Sequence, residues 1–392
     1  MTLWSEVMDV VKCALKKEKY PHTIHDEKAF YQLIYENGLI GLSFAAIDEN
    51  RISKQFQKKL TQGFYDYVSR DTKQEVAIQE IRQLLNMNGI DFLYLKGTRM
   101  KALYPETYMR GMGDIDLLVH EEDMMNVRNL FEGKEIICTH PSKQHDFYEM
   151  KNGLNIEVHP RLFKDFNPRY KTLMDDVWNH LHHVDQHEYE MIPEYEIIYL
   201  TYHLAKHMDA SGIGIRSVLD LGVYLSKKET LMDESLLRTF LEQAKMTRFY
   251  QSMIDLTSSL FDFHFMLPIH QEKLLNDNDK ELLIQYLVTS GIHGLGNAFN
   301  PFAAREANYR LKKKSKWNMI KDLMFPDMDS MKIMYPYVKK CKILLPFAWI
   351  SRWIKLMFKK TKSSVQKVKQ LHTDVSKVKE LEEIFIKIGL ND

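Results

Sequence analysis

The stretch from Tyr94 to Val119, YLKGTRMKALYPETYMRGMGDIDLLV, decides the fold. Near its end, Asp114 and Asp116 lie two residues apart in an apolar run that is typical of a buried strand. Residues i and i+2 of a strand point to the same face, so both carboxylates are expected to project together. Burying two carboxylates beside apolar residues is costly unless a cation neutralises them. The pair therefore predicts a metal site of the kind that phosphoryl transfer uses. The alternative is a solvated, structural acidic pair at a strand end.

Three neighbouring features favour a metal site. Gly97 ends one apolar strand and opens a helix, where backbone can approach a phosphate and a helix N-terminus favours anions. Glu157 follows an Asn-Gly hairpin turn on a later strand, and its side chain can complete a cage of three carboxylates. Arg110 and the loop 111–113 place a cation and flexible backbone just before the aspartates. The predicted metal ligands, which are also the predicted catalytic residues, are Asp114, Asp116 and Glu157.

The remaining segments differ in their apolar patterns. Helical spacing predicts several helices over residues 1–88, including a long one from Ser53 to Asn88 that ends at an Asn-Gly cap. Strands alternate with short helices up to residue 192, and helical patterns follow. The expected regions are N-terminal helices (1–88), a sheet-containing core (89–192), a helical region (193–300) and a basic helical segment (301–392).

Composition narrows the class of protein. The 392 residues have the apolar and charged fractions of an ordinary globular chain and a formal net charge of +1. The three cysteines follow no metal-binding spacing, which favours unpaired thiols in a reducing compartment. The start lacks a signal-peptide pattern, and no apolar run approaches the roughly 20 residues of a spanning helix. The sequence therefore predicts a cytoplasmic protein without a transmembrane segment.

The ordered set of motifs resembles the polymerase-β-like nucleotidyltransferase superfamily. In that superfamily a strand, a Gly-containing turn and a helix precede Asp-x-Asp on the next strand, with a third carboxylate on a later strand. More closely, the chain resembles a bacterial family known only as uncharacterised nucleotidyltransferases, over roughly residues 30 to 360. The residues that carry the resemblance are Leu95–Gly97, Arg110, Gly113–Val119, Ile156–His159, His203–His207, Gly212–Arg216, Asp220, Phe325–Pro326 and Tyr335–Pro346.

This resemblance implies a fold and an activity. The fold is α+β: a small mixed sheet flanked by helices, with N-terminal helices and a mostly helical C-terminal domain that closes over the nucleotide. The activity is transfer of a nucleoside monophosphate from ATP or another NTP to a hydroxyl, with release of pyrophosphate. Two Mg²⁺ ions would act at the carboxylates. The acceptor is left open among a small molecule, a protein and an RNA end. The alternative class is a non-catalytic module that binds a nucleotide or a partner.

The resemblance also implies residues that contact the nucleotide. Where the superfamily usually has Gly-Gly or Gly-Ser, this chain has Lys96-Gly97, so Thr98 is the candidate to replace the serine and Lys96 to supply charge. Glu157 would ligate the second ion or act as general base. The role of His159 is left open among a metal ligand, an orienting group and a hydrogen bond at the strand end. The predicted nucleotide-binding residues are Lys96, Gly97, Thr98, Arg110, Gly113, Lys206, His207 and Arg216.

Histidine and glycine clusters allow several interpretations. His203 and His207 are four residues apart and share a helix face. They are interpreted as a structural pair, as nucleotide contacts or as metal ligands, although the glutamate of a zinc-protease motif is missing. The histidine-rich segment 180–187 is predicted to be a solvated loop. The glycine-rich segment 291–297 follows no predicted strand, which favours a connection between helices over a phosphate loop. Asp220 would shape the cleft or pair with Arg216.

The charge is unevenly distributed. From Arg310 to Lys369 there are 17 Lys and Arg against 3 Asp, a charge of +14, which leaves −13 for the rest of the chain. Lysines alternate there with aromatic residues, so the segment suits RNA binding by charge and stacking. It also suits in-plane docking on an anionic membrane, but the favoured interpretation is a basic outer face of packed helices. Residues 365–388 are expected to form a further amphipathic helix.

Overall fold

The computed structural model describes residues 2–140, 145–162, 171–210, 212–292, 301–335, 337–358 and 375–390. The strands are β1 (Phe92–Tyr94), β2 (Ile115–Val119), β3 (Ile137–His140), β4 (Asp146–Glu149), β5 (Asn155–His159), β6 (Leu181–Asp185) and β7 (Glu188–Met191). The helices up to residue 174 are α1 (Leu3–Leu15), α2 (Glu27–Glu36), α3 (Ile40–Ala46), α4 (Lys54–Met87), α5 (Lys96–Lys101), α6 (Met124–Glu132) and α7 (Lys171–Met174). The later helices are α8 (Pro193–Ala210), α9 (Arg216–Lys228), α10 (Glu234–Gln243), α11 (Thr247–Phe261), α12 (Asp277–Ser290), α13 (Pro301–Leu311), α14 (Lys316–Met324), α15 (Met328–Met334), α16 (Tyr337–Lys340), α17 (Leu345–Phe358) and α18 (Val375–Lys387).

The seven strands form one mixed sheet in the order β3-β4-β5-β2-β1-β7-β6. Strand β2 pairs in parallel with β5, and β1 pairs in parallel with β7, while the other neighbours are antiparallel. The register between β2 and β5 places Glu157 of β5 beside Asp116 of β2. The predicted α+β class with a mixed sheet flanked by helices is confirmed.

Side chains along the central strands point alternately to the two faces of the sheet, and each face packs against a separate apolar core. Ile115, Leu117 and Val119 of β2 pack in one core with residues of α4 and α6. Leu118 points to the other face and packs in the larger core that includes α8 and α9. Asp116 shares the face of Leu118 because successive strand side chains point to opposite sides. The acidic residue therefore faces the helices that follow the sheet.

The long helix α4 shows the capping signals of the sequence. The Ser53 hydroxyl accepts a hydrogen bond from the Phe56 backbone N–H at 3.2 Å, and Gly89 after the helix has φ +66°. Glycine tolerates this left-handed conformation without steric cost, which explains why the helix ends there. The predicted helix from Ser53 to Asn88 is confirmed within one residue at each end. The preceding α1, α2 and α3 join the same large core as α8 to α11.

One predicted segment differs from the structure, and two others lie partly outside the described residues. The histidine-rich segment 180–187 is exposed along β6, as expected, but it forms the β6–β7 hairpin instead of a loop. Gln186 adopts φ +44° at the turn, and its type gave no hairpin signal in the sequence. The predicted helix 365–388 is present from Val375, and its first ten residues lie outside the described residues. So do residues 293–297 of the glycine-rich segment.

Across the described helices, none is long and apolar enough to cross a membrane.

Candidate active site

Two neighbouring strands bring a carboxylate cluster together. Asp116 on β2 lies beside Glu157 on β5, and His159 follows two residues later on the same face as Glu157. His159 Nε2 is 3.1 Å from Asp116 Oδ1 and 3.3 Å from Glu157 Oε2. One ligand atom from each of the three side chains lies within 4.8 Å of the others. Among the described residues, these three are the group that can hold a metal ion.

Asp114 occupies a different backbone position from the one predicted. It lies in the turn before β2, one residue ahead of the first strand residue, and its side chain lines the same cavity as Asp116. It does not belong to the three-residue cluster of described side chains. Burial, followed by the negative charge of Glu157, raises the pKa of Asp114. A nearby cation would stabilise the ionised form of such a carboxyl, so the position of Asp114 beside the cluster is compatible with metal binding.

Lys96 neutralises Asp116. The backbone of Lys96 has φ +37°, and its ammonium lies 3.2 Å from Asp116 Oδ1. Burial alone would raise the pKa of Asp116, but the charge of Lys96 and the hydrogen bond with His159 hold this pKa well below its usual range. The hydrogen bond with His159 likewise lowers the pKa of Glu157 despite its burial. Both carboxylates are therefore ionised at neutral pH.

Gly97 allows close packing of the loop that precedes the aspartates. A Cβ atom at Gly97 would lie 2.6 Å from Met112 Cγ and 3.0 Å from an Arg110 guanidinium nitrogen. The Thr98 hydroxyl faces Met112 Sδ at 3.5 Å, and Thr98 is not among the described residues that line the cavity. Gly113 lines the cavity and has open space at its Cβ position. The packing of Met112 and Arg110 thus explains the glycine at position 97.

The long helix α4 fixes the same loop from the other side. Arg70 donates to the Met112 carbonyl at 3.1 Å and to the Gly113 carbonyl at 2.6 Å. Gln74, which is buried, donates to the Met112 carbonyl at 2.9 Å. These bonds satisfy the carbonyls of buried Met112 and exposed Gly113 directly before Asp114, and they hold the turn into β2.

Arg110 is tied to α9. Its guanidinium donates to both carboxylate oxygens of Asp220, at 2.8 and 3.3 Å, and the Tyr104 hydroxyl donates to the same carboxylate at 2.8 Å. Burial opposes the charge of Arg110, but Asp220 raises the pKa of Arg110. The pairing of Asp220 with Arg216 that the sequence allowed is replaced by this pair.

Arg216 lines the cavity, and the negative charge of Asp220 acts on it without a direct ion pair between the two described side chains. Within the described part of the chain, its half-buried guanidinium makes no hydrogen bond or ion pair. It packs over Gly38, where a Cβ atom would lie 2.4 Å from an Arg216 nitrogen. Burial and the positive charge of Arg110 lower the pKa of Arg216. Holding a guanidinium in this way is costly, so the position is suited to binding an anion.

Helix α8 supplies the opposite wall. His203, Lys206 and His207 line the cavity, and the Nε2 atoms of the two histidines are 3.1 Å apart. The cavity encloses about 400 Å³ between these residues, the carboxylate cluster and the Arg216 guanidinium. The structure therefore places ten of the eleven predicted site residues around one cavity. They are Lys96, Gly97, Arg110, Gly113, Asp114, Asp116, Glu157, Lys206, His207 and Arg216.

Sequence reasoning did not assign several residues of this cavity. His159 carried a signal, because it shares the strand face of Glu157, but its role was left open. His145, Phe147, Arg161 and Tyr199 also line the cavity. They come from segments whose relative placement depends on tertiary packing, and no local pattern marks them.

Comparison with known proteins identifies the family. The model of the uncharacterised nucleotidyltransferase family matches residues 25–262, which include the whole carboxylate cluster and the helices α8 to α11. The chain therefore belongs to the uncharacterised nucleotidyltransferase family. The match ends at residue 262, so the resemblance expected up to about residue 360 extends beyond it. No curated protein and no solved structure matches the chain.

Proposed function

We propose that the protein transfers a nucleoside monophosphate from ATP or another NTP to a hydroxyl acceptor and releases pyrophosphate. The observation that carries this proposal is that Asp116 and Glu157 lie opposite each other on paired strands and line a cavity together with cationic side chains. Carboxylates that lie side by side repel each other unless they share a cation. Cationic side chains in the same cavity are suited to binding the oxygens of a polyphosphate.

The side chains present fit a divalent metal. Asp116, Glu157 and His159 offer ligand atoms within 4.8 Å of one another, and Asp114 lines the same cavity. Carboxylate oxygens are the ligands that Mg²⁺ prefers. We propose Asp114, Asp116 and Glu157 as ligands of two Mg²⁺ ions, which would polarise the α-phosphate and lower the pKa of the acceptor hydroxyl. The lowered pKa of Glu157 makes it a weak base, which supports a role as ligand over general base.

The cationic residues divide into two groups. Lys96 and Arg110 contact carboxylates of the chain itself, Asp116 and Asp220. Arg216 has no such contact among the described residues and is the side chain best suited to bind the β- and γ-phosphates. Lys206 and His207 on α8 would approach the same phosphates from across the cavity. We propose that the helices after residue 193 close over the nucleotide in this way.

Calorimetric titration with ATP tests the proposal. Wild-type protein is expected to bind ATP in the presence of MgCl₂ and at least about tenfold more weakly in EDTA, because the metal links the carboxylates to the triphosphate. AMP with MgCl₂ is the matched control and should bind more weakly than ATP, since it lacks the β- and γ-phosphates. ATP labelled at the α-phosphorus should label an acceptor in a screen of hydroxyl compounds, proteins and RNAs, whereas label at the γ-phosphorus should leave with pyrophosphate. Equal binding with and without metal would instead support a non-catalytic nucleotide-binding module.

Replacing Arg216 with glutamine separates binding from folding. We expect ATP affinity to fall about tenfold to a hundredfold, the effect of losing one charge-assisted hydrogen bond of roughly 1.5–3 kcal/mol. The free energy of unfolding should stay unchanged or rise, because the guanidinium makes no hydrogen bond within the described residues to lose. Arg238→Gln on α10, which breaks a surface pair with Glu234, is the matched control and should leave ATP affinity unchanged. A destabilised Arg216→Gln protein with normal ATP affinity would show that Arg216 has a structural role.

A further inference from the structure

A small unit forms near the C-terminal end of the described chain. Met331, Tyr335 and Val338 from α15, α16 and the residues between them pack with Ala348 of α17 in a core of their own. This core is separate from the two larger cores of the protein. The orientation of α17 (Leu345–Phe358) is therefore fixed by local contacts, and its outer surface can be assigned.

The inner face of α17 makes polar contacts. The Trp349 indole N–H donates to the Pro326 carbonyl at 3.0 Å, and the Trp353 indole N–H donates to the Met324 carbonyl at 2.8 Å. The Arg352 guanidinium donates to the Leu323 carbonyl at 3.1 Å. These bonds engage carbonyls in and just after the last turn of α14, so both tryptophans are oriented toward the protein.

The outer face of α17 is apolar and exposed. Phe347, Ile350 and Ile354 are 64, 48 and 48% exposed, and their spacing of three and four residues places them in one stripe. Ile343, two residues before the helix, is 83% exposed. Single exposed apolar residues are ordinary on a protein surface, but three on one face of a helix indicate an interaction site.

Positive charge surrounds the stripe. From residue 331 to residue 370 the sequence contains eleven Lys and Arg and no Asp or Glu, and residues 359–370 of this stretch lie outside the described residues. Lys342 and Lys355, which are described and exposed, flank the stripe in sequence. An apolar stripe with basic flanks and no acidic residue is complementary to a surface that is apolar within and anionic outside.

We propose that α17 docks in the plane of an anionic lipid bilayer, with Phe347, Ile350 and Ile354 inserted among the acyl chains and the flanking lysines at the headgroups. The helix has 14 residues, about 21 Å, which is too short to span a hydrocarbon core of about 30 Å. The outer face of α17 presents Phe347, Ile350 and Ile354, of which only Phe347 is aromatic, and this composition suits insertion among acyl chains better than base stacking. The proposal is independent of the nucleotidyltransferase activity.

Sedimentation with vesicles tests this docking surface. Full-length protein is mixed with vesicles of phosphatidylcholine alone or of phosphatidylcholine with phosphatidylglycerol. We expect binding to the anionic vesicles only, weakened by high salt. The affinity of the triple variant Phe347→Ser, Ile350→Ser, Ile354→Ser for anionic vesicles should fall by at least about tenfold, because the variant loses the inserted side chains. The double variant Lys342→Gln, Lys355→Gln should also bind about tenfold more weakly.

A matched control replaces three exposed apolar residues elsewhere: Tyr65→Ser, Met87→Ser and Leu231→Ser. This variant should bind vesicles like wild type. Circular dichroism and thermal melting should show that all variants are folded, since every substituted side chain is exposed. Binding by the triple variant at the wild-type level, equal binding to neutral vesicles, or no binding at all would overturn the proposal. A dimer that forms without vesicles and that the triple variant abolishes would also overturn it, by assigning the stripe to a second copy of the chain.

Discussion

Asp116→Asn is expected to abolish Mg²⁺-dependent ATP binding and to lower any nucleotidyl transfer by at least roughly a hundredfold. The substitution keeps the shape of the side chain and removes its charge. Metal assistance in phosphoryl transfer is worth several kcal/mol, and each 1.36 kcal/mol corresponds to a factor of ten in rate. Asp116 lies in register with Glu157 and contacts both Lys96 and His159, so it connects the metal-ligand candidates with the nearest cation.

The measurement is calorimetric titration of ATP with MgCl₂ at neutral pH, on the wild type and the variant. The pKa of Asp116 in the folded protein is below its unfolded value of about 3.9, so its stabilising contribution is fully present above that value and is lost only as the pH falls through the folded pKa. A comparison at neutral pH therefore sets a fully ionised wild type against a neutral variant. Some loss of stability is expected, because Lys96 and His159 lose their carboxylate.

Two further variants separate folding from metal binding. Glu157→Gln should also abolish the Mg²⁺ dependence, and Glu157 has no contact with Lys96 of the kind that Asp116 has. Asp185→Asn on the exposed edge strand β6 carries the same chemical change on the same sheet and should bind ATP like wild type. Retention of Mg²⁺-dependent binding in both active-site variants would remove the carboxylate cluster from the mechanism.

The part of the site that alternates along strands was predictable from the sequence. Asp116 and Glu157 each lie between apolar residues of opposite face, so the period of two residues predicted that both side chains leave the apolar face of their strands. The Asn-Gly turn predicted the pairing of β4 with β5, whereas the pairing of β2 with β5 that sets the two carboxylates side by side is a contact between distant segments. The length of α4 was likewise predictable, because Ser53 and Gly89 are local capping signals.

The rest depends on contacts between distant segments, which local patterns do not encode. Gly97 was interpreted as a phosphate-binding glycine, but its conformation and packing against Met112 follow from where the loop 110–113 returns to the helix. Arg110 was predicted to bind phosphate, and the structure shows it held by Asp220, 110 residues later in the chain. Neither Arg70 nor Gln74 carried any signal, because a polar residue on a long helix is ordinarily solvated.

The pair of Arg110 and Asp220 leads to the second large prediction: Asp220→Ala is expected to destabilise the fold by roughly 3–5 kcal/mol, the cost of leaving a buried charge without its partner. The side chains of Arg110 and Asp220 are 10 and 7% exposed, so solvent screens them little. Without Asp220, the positive charges of Arg110 and Arg216 act on each other with no carboxylate between them to offset the repulsion. The Tyr104 hydroxyl also loses its acceptor.

Urea unfolding of the wild type and four variants measures this effect. Asp220→Asn should cost less than Asp220→Ala, because an amide oxygen still accepts from Tyr104. The double variant Arg110→Met, Asp220→Ala should recover part of the loss, since it removes the uncompensated charge together with its partner. Asp262→Ala, which breaks an exposed pair with Lys16, is the matched control and should change stability little. If Asp220→Ala proved as stable as that control, the guanidinium of Arg110 would have another counter-charge, and α9 would not be fastened to the loop before the aspartates by this pair.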